Sequence, residues 1–159
     1  MNEDLQKINE YRKGITELFA IIREHKDAYE GEAAEAINPL KHSFGNGCYI
    51  REITMPANQI IVSKIHKYTH PYFILKGEVS VLTEDGPVRL KAPYYGMTPA
   101  GTQRLLYIHE ETVWVTVHVT NKTNVDEAVE DVTAPDFESL PEHETPLLVS
   151  IKQIAGEAI

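Results

Sequence analysis

The chain has 159 residues, 42% of them hydrophobic and 25% charged, with nine glycines and nine prolines scattered along it. That composition fits one globular domain with appendages and excludes a disordered or fibrous chain. The formal net charge of −9, without any Lys/Arg run interleaved with aromatics, argues against a nucleic-acid partner, and no stretch approaches the roughly 20 apolar residues of a membrane span, so a membrane partner is not expected either.

Cys48 is the only cysteine, which excludes an internal disulfide and a thiolate metal cluster within one chain; it is expected to act as a small buried apolar residue. The N-terminus has no basic segment followed by an apolar run, so the sequence predicts a cytoplasmic protein.

In residues 2–26 the apolar positions Leu5, Ile8, Ile15, Leu18, Phe19 and Ile22 recur every three or four residues, which predicts an amphipathic helix. Read as heptads, Leu5, Ile8, Ile15, Phe19 and Ile22 form a seam that only Arg12 interrupts. Such a seam either packs on the chain's own core or serves oligomerisation by contact with a second subunit. Residues 28–40 lose the periodicity and contain the breakers Gly31 and Pro39, as in a linker. Residues 1–41 thus read as an N-terminal helix and linker.

Between residues 42 and 120 the texture changes to short β-rich runs separated by turn residues, the pattern of a sandwich or barrel. The expected strands are 48–54, 59–66, 72–76, 79–83, 88–91, 94–98, 103–108 and 113–120. Asp85-Gly86 is the strongest hairpin signal, because both residues tolerate the positive backbone angles of a tight turn. In the last run Val113, Val115, Val117 and Val119 alternate with Trp114, Thr116, His118 and Thr120, so the valine face is expected to be core.

Residues 121–159 form an acidic segment with no Lys or Arg from 124 to 150 and prolines at 135, 141 and 146, which predicts an extended tail. Its apolar patch Pro146-Leu147-Leu148-Val149-Ser150-Ile151 would be awkward in water and is expected to dock on something.

The run Tyr72-Phe73-Ile74-Leu75-Lys76-Gly77-Glu78-Val79 resembles the strand, glycine, strand centre of the cupin superfamily. Anchored there, the family's first motif falls on Asn58, Lys64, His66 and His70. Asn58 stands for the leading glycine, Lys64 replaces the first histidine, His66 keeps the second, and His70 takes the acidic position. The second motif falls on Pro99-Ala100-Gly101, with Pro93 at its leading glycine and Arg104 at the third histidine. This resemblance covers about half the chain. It implies a mainly β fold, a small antiparallel double-stranded β-helix (jelly-roll) barrel with an N-terminal amphipathic helix and an extended C-terminal tail.

In cupins that bind metal, three imidazoles and a carboxylate face the barrel interior. Lys64 and Arg104 would repel a cation, so the resemblance implies degenerate ligand positions. A metal site survives if His118, from the polar face of the last strand, joins His66 and His70. The opposite reading is an anion pocket in which Lys64, His66 and Arg104 converge on a small ligand; the bland one pairs Lys64 and Arg104 with acids such as Glu52 or Glu78. Tyr68, Tyr72, Tyr94, Tyr95 and Tyr107 cluster around the motifs and read as core residues with a wet hydroxyl. No Gly-rich phosphate loop, nucleophile elbow or His-Glu-x-x-His helix occurs.

The sequence therefore favours a non-enzymatic structural or interaction protein, without catalytic residues or a cofactor, whose terminal segments drive homo-oligomerisation or assembly. The runs His42-Ser43-Phe44-Gly45, Tyr49-Ile50-Arg51-Glu52-Ile53-Thr54-Met55-Pro56-Ala57 and Ser80-Val81-Leu82-Thr83-Glu84-Asp85-Gly86 resemble cupin-like proteins encoded in tailed phages and prophages. That resemblance implies a phage-encoded accessory role in the cytoplasm of a bacterial host, with incorporation into a virion and virion proteins as partners. Two alternatives stand beside it: a metal-dependent cupin enzyme with one divalent transition metal, and a ligand-binding module.

Overall fold

A computed structural model describes residues 3–141. The apolar patch at 146–151 lies outside the described residues. Helix α1 (Glu3–Arg23) forms where the periodicity predicts it, with Glu3 and Asp4 in its first turn and Arg23 in its last, an order that suits the helix dipole. Ile15 packs beneath it at 2% exposure, whereas Leu5 and Ile21 stay exposed. The Tyr11 hydroxyl lies 3.0 Å from the carbonyl oxygen of Leu82 and 2.8 Å from that of Gln103. Arg12, the residue that interrupts the apolar seam, donates to the Gly101 carbonyl at 3.1 Å and covers the Phe137 ring. It is a docking residue for the helix.

The expected linker contains a short helix, α2 (Gly31–Ile37), because Ala33, Ala34 and Ala36 favour helix and Asn38 closes it by donating to the Ala34 carbonyl. The strands follow: β1 (Leu40–Gly45), β2 (Cys48–Met55), β3 (Ile60–Val62), β4 (Ile65–His66), β5 (His70–Thr83), β6 (Gly86–Lys91), β7 (Tyr94–Thr98) and β8 (Leu105–Val119). They pair antiparallel in the order β1-β2-β8-β5-β6, with β3 also on β8 and β7 also on β5. The fold is mainly β, a jelly-roll barrel with a helix at its N-terminus.

Two expected breaks are absent. Residues 72–83 run as one strand, with register shifts around Lys76 and Gly77 that mark a bulge. Gly77 sits at φ 90°, and a Cβ there would fall 2.3 Å from the Glu111 carbonyl oxygen. Residues 105–119 are likewise continuous, because the charged run His109-Glu110-Glu111 is matched across the sheet: Lys76 pairs with Glu111 at 2.6 Å and Lys91 approaches Glu110 at 3.8 Å. The β5–β6 hairpin turns through Glu84-Asp85, with Gly86 at φ 106° paired to Thr83.

The interior parity of β8 is the reverse of the expected one. Trp114, Thr116 and His118 are buried inside the barrel, while of the four valines Val115 is buried, Val113 and Val117 are half-buried and Val119 is 87% exposed. The aromatic ring and the interior polar groups, and not the valines, set which way the strand faces. Met55, Ile74, Val79, Val81, Leu90, Leu106, Ile108 and Trp114 form the apolar core.

The acidic segment is not extended at its start. Helix α3 (Val125–Val132) is capped by Asn124, whose side chain accepts from the Glu127 N–H, and it buries Ala128 and Val132. Strand β9 (Thr133–Ala134) then pairs with β4. Burial of those apolar residues on the barrel outweighs the segment's charge. Cys48 is a half-buried free thiol.

Candidate metal centre

The inward side of β2 carries Tyr49, Arg51 and Ile53, which lie opposite His118, Thr116 and Trp114 of β8. On the other flank of β8, Tyr72 of β5 is opposite Thr116 and Ile74 opposite Trp114. His70, two residues before Tyr72, therefore faces the same interior beside His118. His66 arrives from β4, where its backbone N–H donates to Thr102 at 2.9 Å and its carbonyl accepts from Gly101 at 2.8 Å. On its far side His66 pairs with Thr133 of β9, so the docked tail helps hold this residue.

The three imidazoles meet. One ring nitrogen from each of His66, His70 and His118 lies within 4.8 Å of the others. Ring centroids are 4.4 Å apart for His66 and His70, 4.3 Å for His70 and His118, and 5.6 Å for His66 and His118. His70 and His118 are 3% and 4% exposed. The His70 Nδ1 hydrogen points to the Tyr68 carbonyl at 3.0 Å, which leaves the lone pair on Nε2. His118 Nε2 lies 3.0 Å from the Thr116 hydroxyl, and its ring stacks on Tyr49. Tyr49, completely buried, is anchored at its hydroxyl by His42 Nδ1 at 2.8 Å. His66 Nδ1 is buried without a hydrogen-bond partner.

Burial is the main reason that all three rings resist protonation. It pulls His118 down to about 3, with His70 and Arg51 adding repulsion. Burial, the other two histidines, Arg51 and Arg104 push His66 well below the ordinary value. His70 falls too, against the pull of its Tyr68 hydrogen bond. Three neutral imidazoles with a buried, unpartnered nitrogen fit the donor set that Zn, Fe, Mn or Ni takes from protein nitrogen. A cavity of about 280 Å³, lined by Tyr68, Thr69, His70, His118, Val119 and Val132, opens onto the centre.

The histidines named from the sequence thus come together, and the anion cluster does not. Lys64 is exposed, because the strand expected over 59–66 breaks at Ser63 and Lys64 between β3 and β4. Arg104 is enclosed, with 13% of its side chain exposed, and faces Glu84 at 3.6 Å and not Glu52 or Glu78. Glu78 binds Arg89 at 2.7 Å. The helix residues of the seam divide: Ile15 is spent on the chain's own barrel, Leu5 is exposed, and Ile8, Phe19 and Ile22 are half-buried. Of the tyrosines, Tyr72 stacks inward on Trp114, whereas Tyr95 is 75% exposed.

Sequence reasoning missed Tyr49, Arg51 and Thr116. The signal was the alternation of β2: Tyr49, Arg51, Ile53 and Met55 share one side, and two of the four are plainly core residues.

No family model and no curated protein matches the chain. Solved structures resemble it at low identity. A cupin domain from Bordetella pertussis Tohama I is 15% identical over 52% of this chain and 93% of its own, with a TM-score of 0.42. An acetylacetone dioxygenase from Acinetobacter johnsonii is 17% identical over 60% of this chain and 76% of its own, with a TM-score of 0.44. An HTH_3 family transcriptional regulator from Vibrio cholerae is 14% identical over 58% of this chain, which spans 56% of that protein's length, with a TM-score of 0.48.

Proposed function

We propose that the barrel binds one divalent transition metal through His66, His70 and His118 and uses it in a reaction on a small molecule. The observation that carries this reading is the set of buried, neutral imidazoles whose nitrogens approach within 4.8 Å of one another. A metal held there supplies Lewis acidity or, for iron and manganese, electron transfer. The chain's own contribution is to keep the rings unprotonated by burial, to fix the His70 tautomer through Tyr68, and to admit a ligand through the mouth beside Val132. Elemental analysis of the purified full chain tests it. One metal per chain, lost in His66→Ala and His118→Ala, is the expected result; metal-free protein that binds no Zn, Fe, Mn or Ni on addition would refute it.

A homo-oligomer is a second reading, and the outer face of the sheet favours it. Ile50 lies opposite Val117, and Phe73 opposite both Val115 and Tyr95, on the side away from the histidines. With Val119, Leu75, Tyr95 and Met97 at 87%, 59%, 75% and 56% exposure, they make one apolar sheet face. Apolar sheet faces of this kind are covered in obligate assemblies. Here the assembly role expected from the seam helix moves to the sheet, and a virion partner remains one occupant to try. Sedimentation of the full chain, of a Tyr95→Lys/Val119→Lys variant and of a chain lacking residues 1–30 separates the two surfaces. Dissociation by the lysines supports the sheet, dissociation by the deletion supports the helix, and a wild-type monomer rules out self-association.

A further inference from the structure

A second cavity, of about 200 Å³, is lined by β5, β6, β7 and β8 and shares no lining residue with the mouth of the histidine site. Its walls include Val81 and Leu90 on one side and the aromatic rings of Tyr72, Tyr94 and Trp114 on the other. Tyr72 and Trp114 stack with centroids 4.5 Å apart and planes 11° from parallel. Gly96, opposite Tyr72, leaves room for that ring, since a Cβ there would fall 2.7 Å from the Tyr72 hydroxyl oxygen.

Arg104 also lines this cavity. Its Nη1 is buried and makes no hydrogen bond, and the Glu84 carboxylate stands off at 3.6 Å, beyond hydrogen-bond length. Glu84 itself sits in the β5–β6 turn and is 25% exposed. A buried guanidinium without a full complement of acceptors is costly unless an anion completes it.

We propose that this cavity binds a small organic carboxylate with a flat apolar body, anchored by Arg104 and resting against the wall that Tyr72, Tyr94 and Trp114 form. The volume suits it, as an apolar cavity of roughly 150 Å³ already accepts benzene. The charge suits it as well. Arg104 faces a single carboxylate, Glu84, at 3.6 Å and its buried Nη1 makes no hydrogen bond, so a carboxylate bound in the cavity would complete it. The inference deepens the metal-centre reading by naming a substrate class; its catalytic meaning rests on that reading, but binding at Arg104 does not.

Trp114 is the only tryptophan in the chain and lines this cavity, so its emission at fixed zinc content reports on occupancy. The test titrates phenylacetate and its neutral analogue phenylacetamide into the full chain, once metal-free and once after loading with zinc. Phenylacetate should change the emission saturably and bind roughly tenfold or more tightly than the amide, the advantage of a charge-assisted hydrogen bond. Arg104→Met should reduce phenylacetate to the level of the amide. Glu84→Gln removes the competing carboxylate without touching Arg104, and should tighten phenylacetate binding. Equal binding of acid and amide, or no saturable change in either form of the protein up to about 10 mM, a concentration at which even a millimolar site fills, overturns the proposal. Saturable binding to a chain that takes up no zinc leaves the carboxylate site standing and removes the metal; zinc uptake without carboxylate binding does the reverse.

Discussion

At one end of the barrel Ile74, Val79 and Ile108 are completely buried among apolar neighbours; at the other His70 and His118 are buried almost as deeply, at 3% and 4% exposure, among polar ones. The same two strands, β5 and β8, supply both ends. Along β8 the inward side chains pass from Trp114 through Thr116 to His118 within five residues. The apolar end is stabilised by removal of hydrocarbon from water. The imidazole end gains less from burial, because its rings give up hydration and His66 Nδ1 finds no partner. The two ends thus share their strands but not the source of their stability.

Acid should strike the imidazole end first and hardest. The folded chain holds its three histidines below the ordinary value of 6.5, so below that pH the unfolded chain takes up protons that the folded chain refuses. Stability is therefore complete above pH 6.5 and falls as pH drops toward about 3, where His118 itself titrates. For a ring held near 3 the loss is roughly 3–5 kcal/mol. Urea melts of the metal-free chain between pH 7 and 4 measure it; a flat profile would mean that the rings are solvated, and that the two ends do not differ as described.

At the apolar end, Ile108→Ala should cost about 3–4 kcal/mol, since it opens a cavity in a fully buried position. Metal stoichiometry should survive in the folded fraction, as read by elemental analysis below the melting temperature. The complementary change, His118→Ala, should lower metal affinity by roughly a hundredfold or more, worth about 3 kcal/mol. It should also flatten the fall in stability of the metal-free chain between pH 7 and 4, because the substitution removes one of the rings that the folded chain keeps from protons. Isothermal titration with zinc and paired thermal melts check both halves of that expectation. The smallest effect belongs to the layer behind the imidazoles. Tyr49→Phe deletes the hydroxyl held 2.8 Å from His42 Nδ1 and should cost about 1 kcal/mol while weakening zinc severalfold, because the Tyr49 ring still backs His118.

Legibility from sequence follows the same division. The β-rich texture and the amphipathic helix could be read off the chain, because alternation and three-and-four spacing are local properties, and the three histidines through the resemblance that placed His66 and His70 and the strand face that carries His118. What could not be read depends on contacts between distant segments. The valines of β8 look like core by alternation alone, but Trp114 and His118 face inward once β2 and β5 flank them. Lys64 looks like a neighbour of His66 until the backbone breaks at Ser63, whose hydroxyl accepts from the Arg104 N–H at 2.9 Å. Arg51 gave no motif, and its effect on His66 and His118 comes only from its position opposite Thr116. The acidic stretch read as solvated because Ala128 and Val132 are sparse on a charged background, and only the barrel surface gives them somewhere to go.

The pairing of β9 with β4 ties the fate of His66 to a segment more than 60 positions later in the chain. The Lys67 amide donates to the Val132 carbonyl and the His66 amide to Thr102, so deuterium uptake at these neighbouring amides separates undocking of the α3–β9 arm from opening of the barrel proper. If a cut in the exposed stretch Asn121–Asn124 let the arm dissociate, His66 would lose its pairing with Thr133 and keep its bridge to Thr102, and the strand pairings of the main sheet, which do not involve the arm, would stay. The arm is a brace on one imidazole, and its undocking would reach that ring while the main sheet stays paired.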